Sequence, residues 1–157
     1  MLEVLYEDNH IIAINKKSGD IVQGDKTGDT PLSDFVKAYI KKKYNKPGQV
    51  FLGTIHRLDR PTSGVVLYAR TSKALARMNE QFREKKVQKT YWAVVENEPA
   101  NTSGTLENYL QKNQKQNKSY VTKGGDSKHA ILDFKLLKKL DNFYHLEIKP
   151  KTGRHHQ

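Results

Sequence analysis

Asp59 lies in the run Thr54-Ile55-His56-Arg57-Leu58-Asp59-Arg60-Pro61-Thr62-Ser63-Gly64. This places one carboxylate between two arginines and against a Pro-Thr-Ser-Gly turn. A β-type run precedes it, and Val65 to Ala69 follows with strand composition. An acid held on a turn between strands, in a strongly basic chain, can serve as nucleophile or base toward a polyanion. An isolated Asp beside Arg is as a rule a surface ion pair or a turn former, so the reading depends on the pattern around it. Arg57 and Arg60 suit phosphate contacts. His56 reads alone as a group that orients the turn, and Tyr91 as an ordinary strand aromatic.

Other chemistry is poorly supported. The chain has no cysteine, which excludes disulfides, thiolate catalysis and Cys-ligated zinc. His155 and His156 are adjacent, so in a strand they would point to opposite faces. With no carboxylate nearby in sequence, no metal is expected. Gly124-Gly125 lacks the Lys-Ser/Thr ending of a phosphate loop and reads as a turn. A phosphodiester hydrolase using His56 and Asp59 as an acid–base pair would need a second carboxylate or a metal cluster.

The 157 residues hold 28 Lys and Arg against 17 Asp and Glu, a net charge of +11. Such an excess attracts phosphate backbones and makes binding fall steeply with salt. A lysine-rich surface kept for solubility would give the same number, so charge alone identifies no enzyme. Mean hydropathy is −0.81, and no segment approaches the roughly 20 apolar residues that span a bilayer. The N-terminus lacks a basic-then-apolar leader. These features predict one domain over residues 1–157, in the cytoplasm, with no membrane partner.

The elements that must position Asp59 follow from periodicity. Val4–Tyr6 and His10–Asn15 read as strands around an Asp8-Asn9 turn. Thr30 and Pro31 open a helix as N-cap and first helical residue. Leu32, Phe35, Val36, Tyr39 and Ile40 form its buried stripe. Thr71 caps a second helix with Leu75, Met78 and Phe82 facing the core. Thr90–Val95 is β-rich, and residues 97–125 read as a polar surface hairpin or loop. Ala130–Leu137 and Tyr144–Lys149 form a hairpin turning at Asp141-Asn142. The order predicts an α+β fold with a mixed, mainly antiparallel sheet and flanking helices.

His56-Arg57-Leu58-Asp59, then Thr62-Ser63-Gly64, resembles the motif around the catalytic aspartate of the RluA-type RNA pseudouridine synthases. Lys89-Thr90-Tyr91-Trp92-Ala93-Val94 is similar to that family's second element, Lys-x-Tyr-x-Ala-Val. Gly153-Arg154-His155-His156-Gln157 is similar to the start of its third, Gly-Arg-x-His-Gln followed by Ile or Leu and then Arg. Glu7 to Lys16 resembles the opening strand pair. Two departures stand out: Lys17 replaces a usual proline, which should loosen that loop, and the chain stops two residues before the last Arg of the third motif.

The resemblance implies a catalytic domain incomplete at its C-terminus that isomerises uridine in structured rRNA or tRNA. Asp59 would be the essential carboxylate and Tyr91 the ring that stacks on the flipped base. Arg57 would fill the space the uridine vacates, and His56, Arg60, Thr62 and Arg154 would join it in substrate binding. No cofactor or metal is implied, and the intact protein is expected to be a monomer. A catalytically inactive RNA-binding module of the same fold is the alternative.

Overall fold

The computed structural model describes residues 2–25 and 27–157. The chain divides into two compact units, Met1–Lys86 and Val87–Gln157, each described by itself.

In the first unit, β1 (Val4–Glu7), β2 (Ile11–Lys16), β3 (Gly53–Thr54) and β4 (Gly64–Ala69) form an antiparallel sheet in the order β1-β2-β4-β3. Asp8 makes the first turn, its Oδ1 accepting from the N–H groups of His10 and Ile11, both at 2.7 Å. Alternation then sends Ile12, Ile14 and Lys16 to one face of β2. Their register partners on β4 are Tyr68, Val66 and Gly64. Helix α1 (Leu32–Lys43) closes over that face with Leu32, Val36 and Ile40. Full burial of Ile12 and Ile14 stabilises the unit by roughly 1.5–3 kcal/mol each.

Two expectations for α1 are corrected. The helix starts at Leu32, one residue later than expected, with Pro31 in the capping position and no side-chain cap. Its first N–H groups instead donate to main-chain carbonyls, Leu32 N to Ile21 O at 2.8 Å and Ser33 N to Val22 O at 3.3 Å. These partners satisfy donors that a cap would otherwise serve. Phe35 is not buried but 55% exposed, because the i, i+4 series Leu32, Val36, Ile40 already fills the contact with the sheet. Basic residues crowd the helix C-terminus as expected, where they complement its dipole. Lys43 among them reaches Glu7 at 2.7 Å.

Helix α2 (Ser72–Arg83) is capped as its sequence predicts, Thr71 Oγ1 accepting from Ala74 N at 3.1 Å. It packs on β3 and β4. Only Ala74 in it is buried, and Leu75, Met78 and Phe82 are half-buried, a thinner contact than a full core stripe.

The second unit is an antiparallel sheet of β5 (Tyr91–Val95), β6 (Ser103–Asn113), β7 (Lys118–Val121), β8 (Lys128–Lys139) and β9 (Tyr144–Pro150), ordered β5-β9-β8-β6-β7. The polar segment that read as hairpin or loop is the β6–β7 hairpin. Asn113 Oδ1 accepts from Gln116 N at its tip, and Asn117 takes the left-handed conformation at φ 49°. Its strands need few apolar residues because β6 draws its main-chain partners from β8 as well as β7. With two helices and, among the described residues, ladders that are all antiparallel, the chain has the α+β class expected.

Candidate active site

The Asp59 segment is a connection between β3 and β4, and its backbone is unusually well fastened. Thr62 N donates to Asp59 O at 3.0 Å, closing a tight turn over residues 59–62. Gly64, at φ 131°, then lets the chain enter β4 in a conformation that a side chain would strain. Leu58, the residue before Asp59, packs against the core cluster.

The fastening centres on Lys16. Its side chain is fully buried at the end of β2, in register with Gly64. The Nζ donates to the carbonyls of Thr62 (2.6 Å), Arg60 (3.1 Å), Lys17 (3.1 Å) and Asp59 (3.2 Å). Burial pushes the Lys16 pKa down, while the Asp20 and Asp59 carboxylates push it back up. An ammonium has three protons to give, and the four carbonyls converge on it, so it ties the loop after β2 to the turn carrying Asp59. Gly19 N to Arg60 O, 2.9 Å, adds a second tie between the same segments. The loop containing Lys17 carries its own turn bond, Asp20 N to Lys17 O.

Sequence reading missed Lys16, because a lysine at the end of a strand reads as a solvated residue. The signal that could have found it is the pattern Ile12, Ile14, Lys16, which puts the lysine on the buried face.

His56 also serves the turn. Its Nε2 accepts from Leu67 N at 3.1 Å, and its ring stacks on Phe82 with centroids 5.3 Å apart and planes 19° from parallel. The ring is thus held between β4, through its accepting Nε2, and α2, through Phe82.

Arg57, Asp59 and Arg60 are exposed on the turn, and Thr62 is half-buried beside them. The Arg60 guanidinium pairs with Asp29 at 2.8 Å. Five of the seven sequence-predicted site residues therefore share one anchored segment of the first unit.

Tyr91 and Arg154 belong to the second unit. Tyr91 opens β5 opposite Ile148 and is half-buried. Lys89, two residues before it, has its pKa pushed down by burial. Arg154 is exposed, with Nε donating to His129 O at 2.7 Å. The surrounding segment is fixed by Thr152 Oγ1 donating to Gln157 Oε1 at 2.7 Å and by Gln157 Nε2 donating to Ile131 O at 2.9 Å.

His155 and His156 do not alternate as strand residues. They lie in a turn with His156 at φ 50° and their rings stacked at 3.8 Å. Among the described residues no cluster of His, Asp and Glu is suited to a metal ion, and no helix is long and apolar enough to cross a membrane.

The sequence that builds this segment falls within a known family. The model for RNA pseudouridylate synthase matches residues 10–157. The chain belongs to the RNA pseudouridylate synthase family.

Among its relatives, ribosomal large subunit pseudouridine synthase C of Buchnera aphidicola is 37% identical over 155 residues, 98% of this chain and 48% of the relative. The enzyme of the same name from Vibrio vulnificus is 34% identical over 154 residues, again 98% of this chain and 46% of the relative. The chain thus spans about half the length of these relatives. The solved structure of human RNA pseudouridylate synthase domain containing 4 covers 99% of the chain, and 61% of that structure is matched, with a TM-score of 0.82 at 23% identity. That likeness bears on the fold.

Proposed function

We propose that the chain is the catalytic domain, both units included, of an RNA pseudouridine synthase acting on specific uridines of structured RNA. The observation that carries this reading is the Asp59 turn, presented at the surface and fastened from beneath by the buried Lys16 ammonium. A carboxylate on so fixed a backbone meets the positional demand of a nucleophile or base, for which small misplacements are costly.

The reaction detaches uracil from C1′ by breaking the N1 bond and joins it again through C5. The C5 proton is lost and N1 gains one, so there is no net redox change and no call for a cofactor. Asp59 acts on the flipped nucleotide, Tyr91 stacks on the uracil, and Arg57 enters the gap left in the RNA. Extrusion costs a few kcal/mol, which stacking and a cation offset. Arg60, Thr62 and Arg154 contact the RNA backbone, with His56 in support. The names of the relatives favour ribosomal RNA over transfer RNA. The protein works in the cytoplasm as a monomer.

The test is a pseudouridine assay on bulk rRNA and tRNA, with this chain and with a version lengthened past Gln157. Product in rRNA from either form supports the reading. RNA binding at low salt with no product from either form would favour an inactive RNA-binding module instead.

A further inference from the structure

Trp92 is the chain's one tryptophan, and at 74% it is the most exposed of the large apolar residues described. It follows Tyr91 directly in β5, so strand alternation puts the two rings on opposite faces of the sheet. The face bearing Tyr91 also carries Leu146, Ile148, Phe134 and Leu136, by register. The face bearing Trp92 has a different composition.

There, Trp92 lies opposite Glu147, which lies opposite Lys135. The neighbouring row is Val94, His145 and Lys138, and the row on the other side holds Lys149 and Asp133. The His145 ring meets the indole edge-on, 5.3 Å between centroids at 89°, and buttresses it. Glu147 is taken by Lys149 at 2.9 Å and Asp133 by Lys151 at 2.8 Å. Among the described residues Lys135 and Lys138 have no carboxylate partner. Four lysines against two carboxylates leave the patch cationic around an apolar centre of Trp92 and Val94. An apolar protein partner would bury that centre only by covering unpaired ammonium groups. A nucleic acid strand supplies both complements, a base for the indole and phosphates for the lysines.

We propose that this face, opposite Tyr91, is a platform for an unpaired stretch of RNA. A base stacks on Trp92, and Lys135 and Lys138, the two lysines without a carboxylate partner, hold the neighbouring phosphates. Lys135 stands two strand spacings from Trp92, about 10 Å, within the span of adjacent phosphates and a lysine side chain. The proposal rests on RNA being the substrate and adds a contact surface that the isomerisation itself does not use.

With a single tryptophan, intrinsic fluorescence reports on this face. An octauridylate titrated into the chain at low salt should quench Trp92 to saturation, and the effect should weaken steeply as salt rises. Trp92→Ala should weaken binding of a labelled octauridylate, read by anisotropy, by about fivefold or more. Lys135→Glu with Lys138→Glu should abolish most of the quench. Anisotropy showing tight binding without quench would overturn the platform, as would unchanged affinity in Trp92→Ala. Equal quench by heparin, which has no bases, would overturn it too. A chain that forms pseudouridine but shows no quench refutes the platform alone; one that neither binds RNA nor forms product refutes the RNA reading with it.

Discussion

The Lys16 ammonium lies 3.2 Å from the main-chain carbonyl oxygen of Asp59 and is fully buried beneath it. A strand residue 43 positions away in sequence thus sets where the carboxylate stands. Lys16→Met keeps the length of the side chain and removes the donor, taking from Thr62 O its 2.6 Å bond while Asp59 O, Arg60 O and Lys17 O keep their main-chain donors. An unsatisfied buried acceptor costs about 1–3 kcal/mol, so the variant should lose about that much in urea unfolding. Its pseudouridine formation should fall about a hundredfold or more, out of proportion to any change in RNA affinity.

Gly64 tests the same turn from its other end. A Cβ there would meet only Leu58 Cδ1, at an ordinary 3.8 Å, so space is not the obstacle. The φ of 131° is, since a side chain at such an angle costs about 1–3 kcal/mol. Gly64→Ala should lower the melting temperature by that equivalent and reduce turnover, while Gly48→Ala, with nothing within 4 Å and no positive φ, should do neither.

His56 separates a strut from an acid–base catalyst. Its Nε2 is committed to Leu67 N and its ring to Phe82. His56→Ala leaves the Leu67 N–H without this partner and should cost about 1–3 kcal/mol. The pH–rate profile of the residual activity should keep its shape. Loss of one limb of that profile would give His56 a catalytic proton and contradict the account.

Glu7 governs the acid limit of stability. Its side chain is 8% exposed and accepts from Tyr39, Lys43, Tyr44 and Arg70. Burial alone would raise its pKa, but the hydrogen bonds from Lys43, Tyr44 and Tyr39 outweigh burial and leave it lowered. The folded state therefore binds this proton less readily than the unfolded chain. Its contribution is complete above the unfolded value of 4.5 and is lost as pH falls through the lowered folded value. Glu7→Gln should cost about 3 kcal/mol at pH 7, because Arg70 is left buried with its partner neutralised. The gap in melting temperature between wild type and variant should close as pH falls toward 3.

The parts of this fold that were legible in sequence are those settled by neighbours in the chain. Thr71 caps α2 through a residue three positions on, and Asp8 makes its turn within three. The motif around Asp59 and the β2 and β4 strands are likewise local patterns. What was illegible depends on distant partners. The α1 N-terminus is satisfied by Ile21 and Val22 carbonyls rather than by Thr30, and Phe35 is left out by the geometry of the sheet contact. The polar β6 is a strand because β8 lies beside it. Lys16 is buried and bonded to carbonyls of residues 59–62 because the turn folds back over it, which no local window contains.

The central claim is that Asp59 carries out the chemistry on a backbone held for that purpose. Asp59→Asn preserves the shape of the side chain and removes its charge. It should be compared with wild type for pseudouridine formed in bulk rRNA, with RNA affinity measured on the same preparations. The account predicts no detectable product from Asp59→Asn and RNA binding within a few-fold of wild type. Product at a rate near wild type would contradict it.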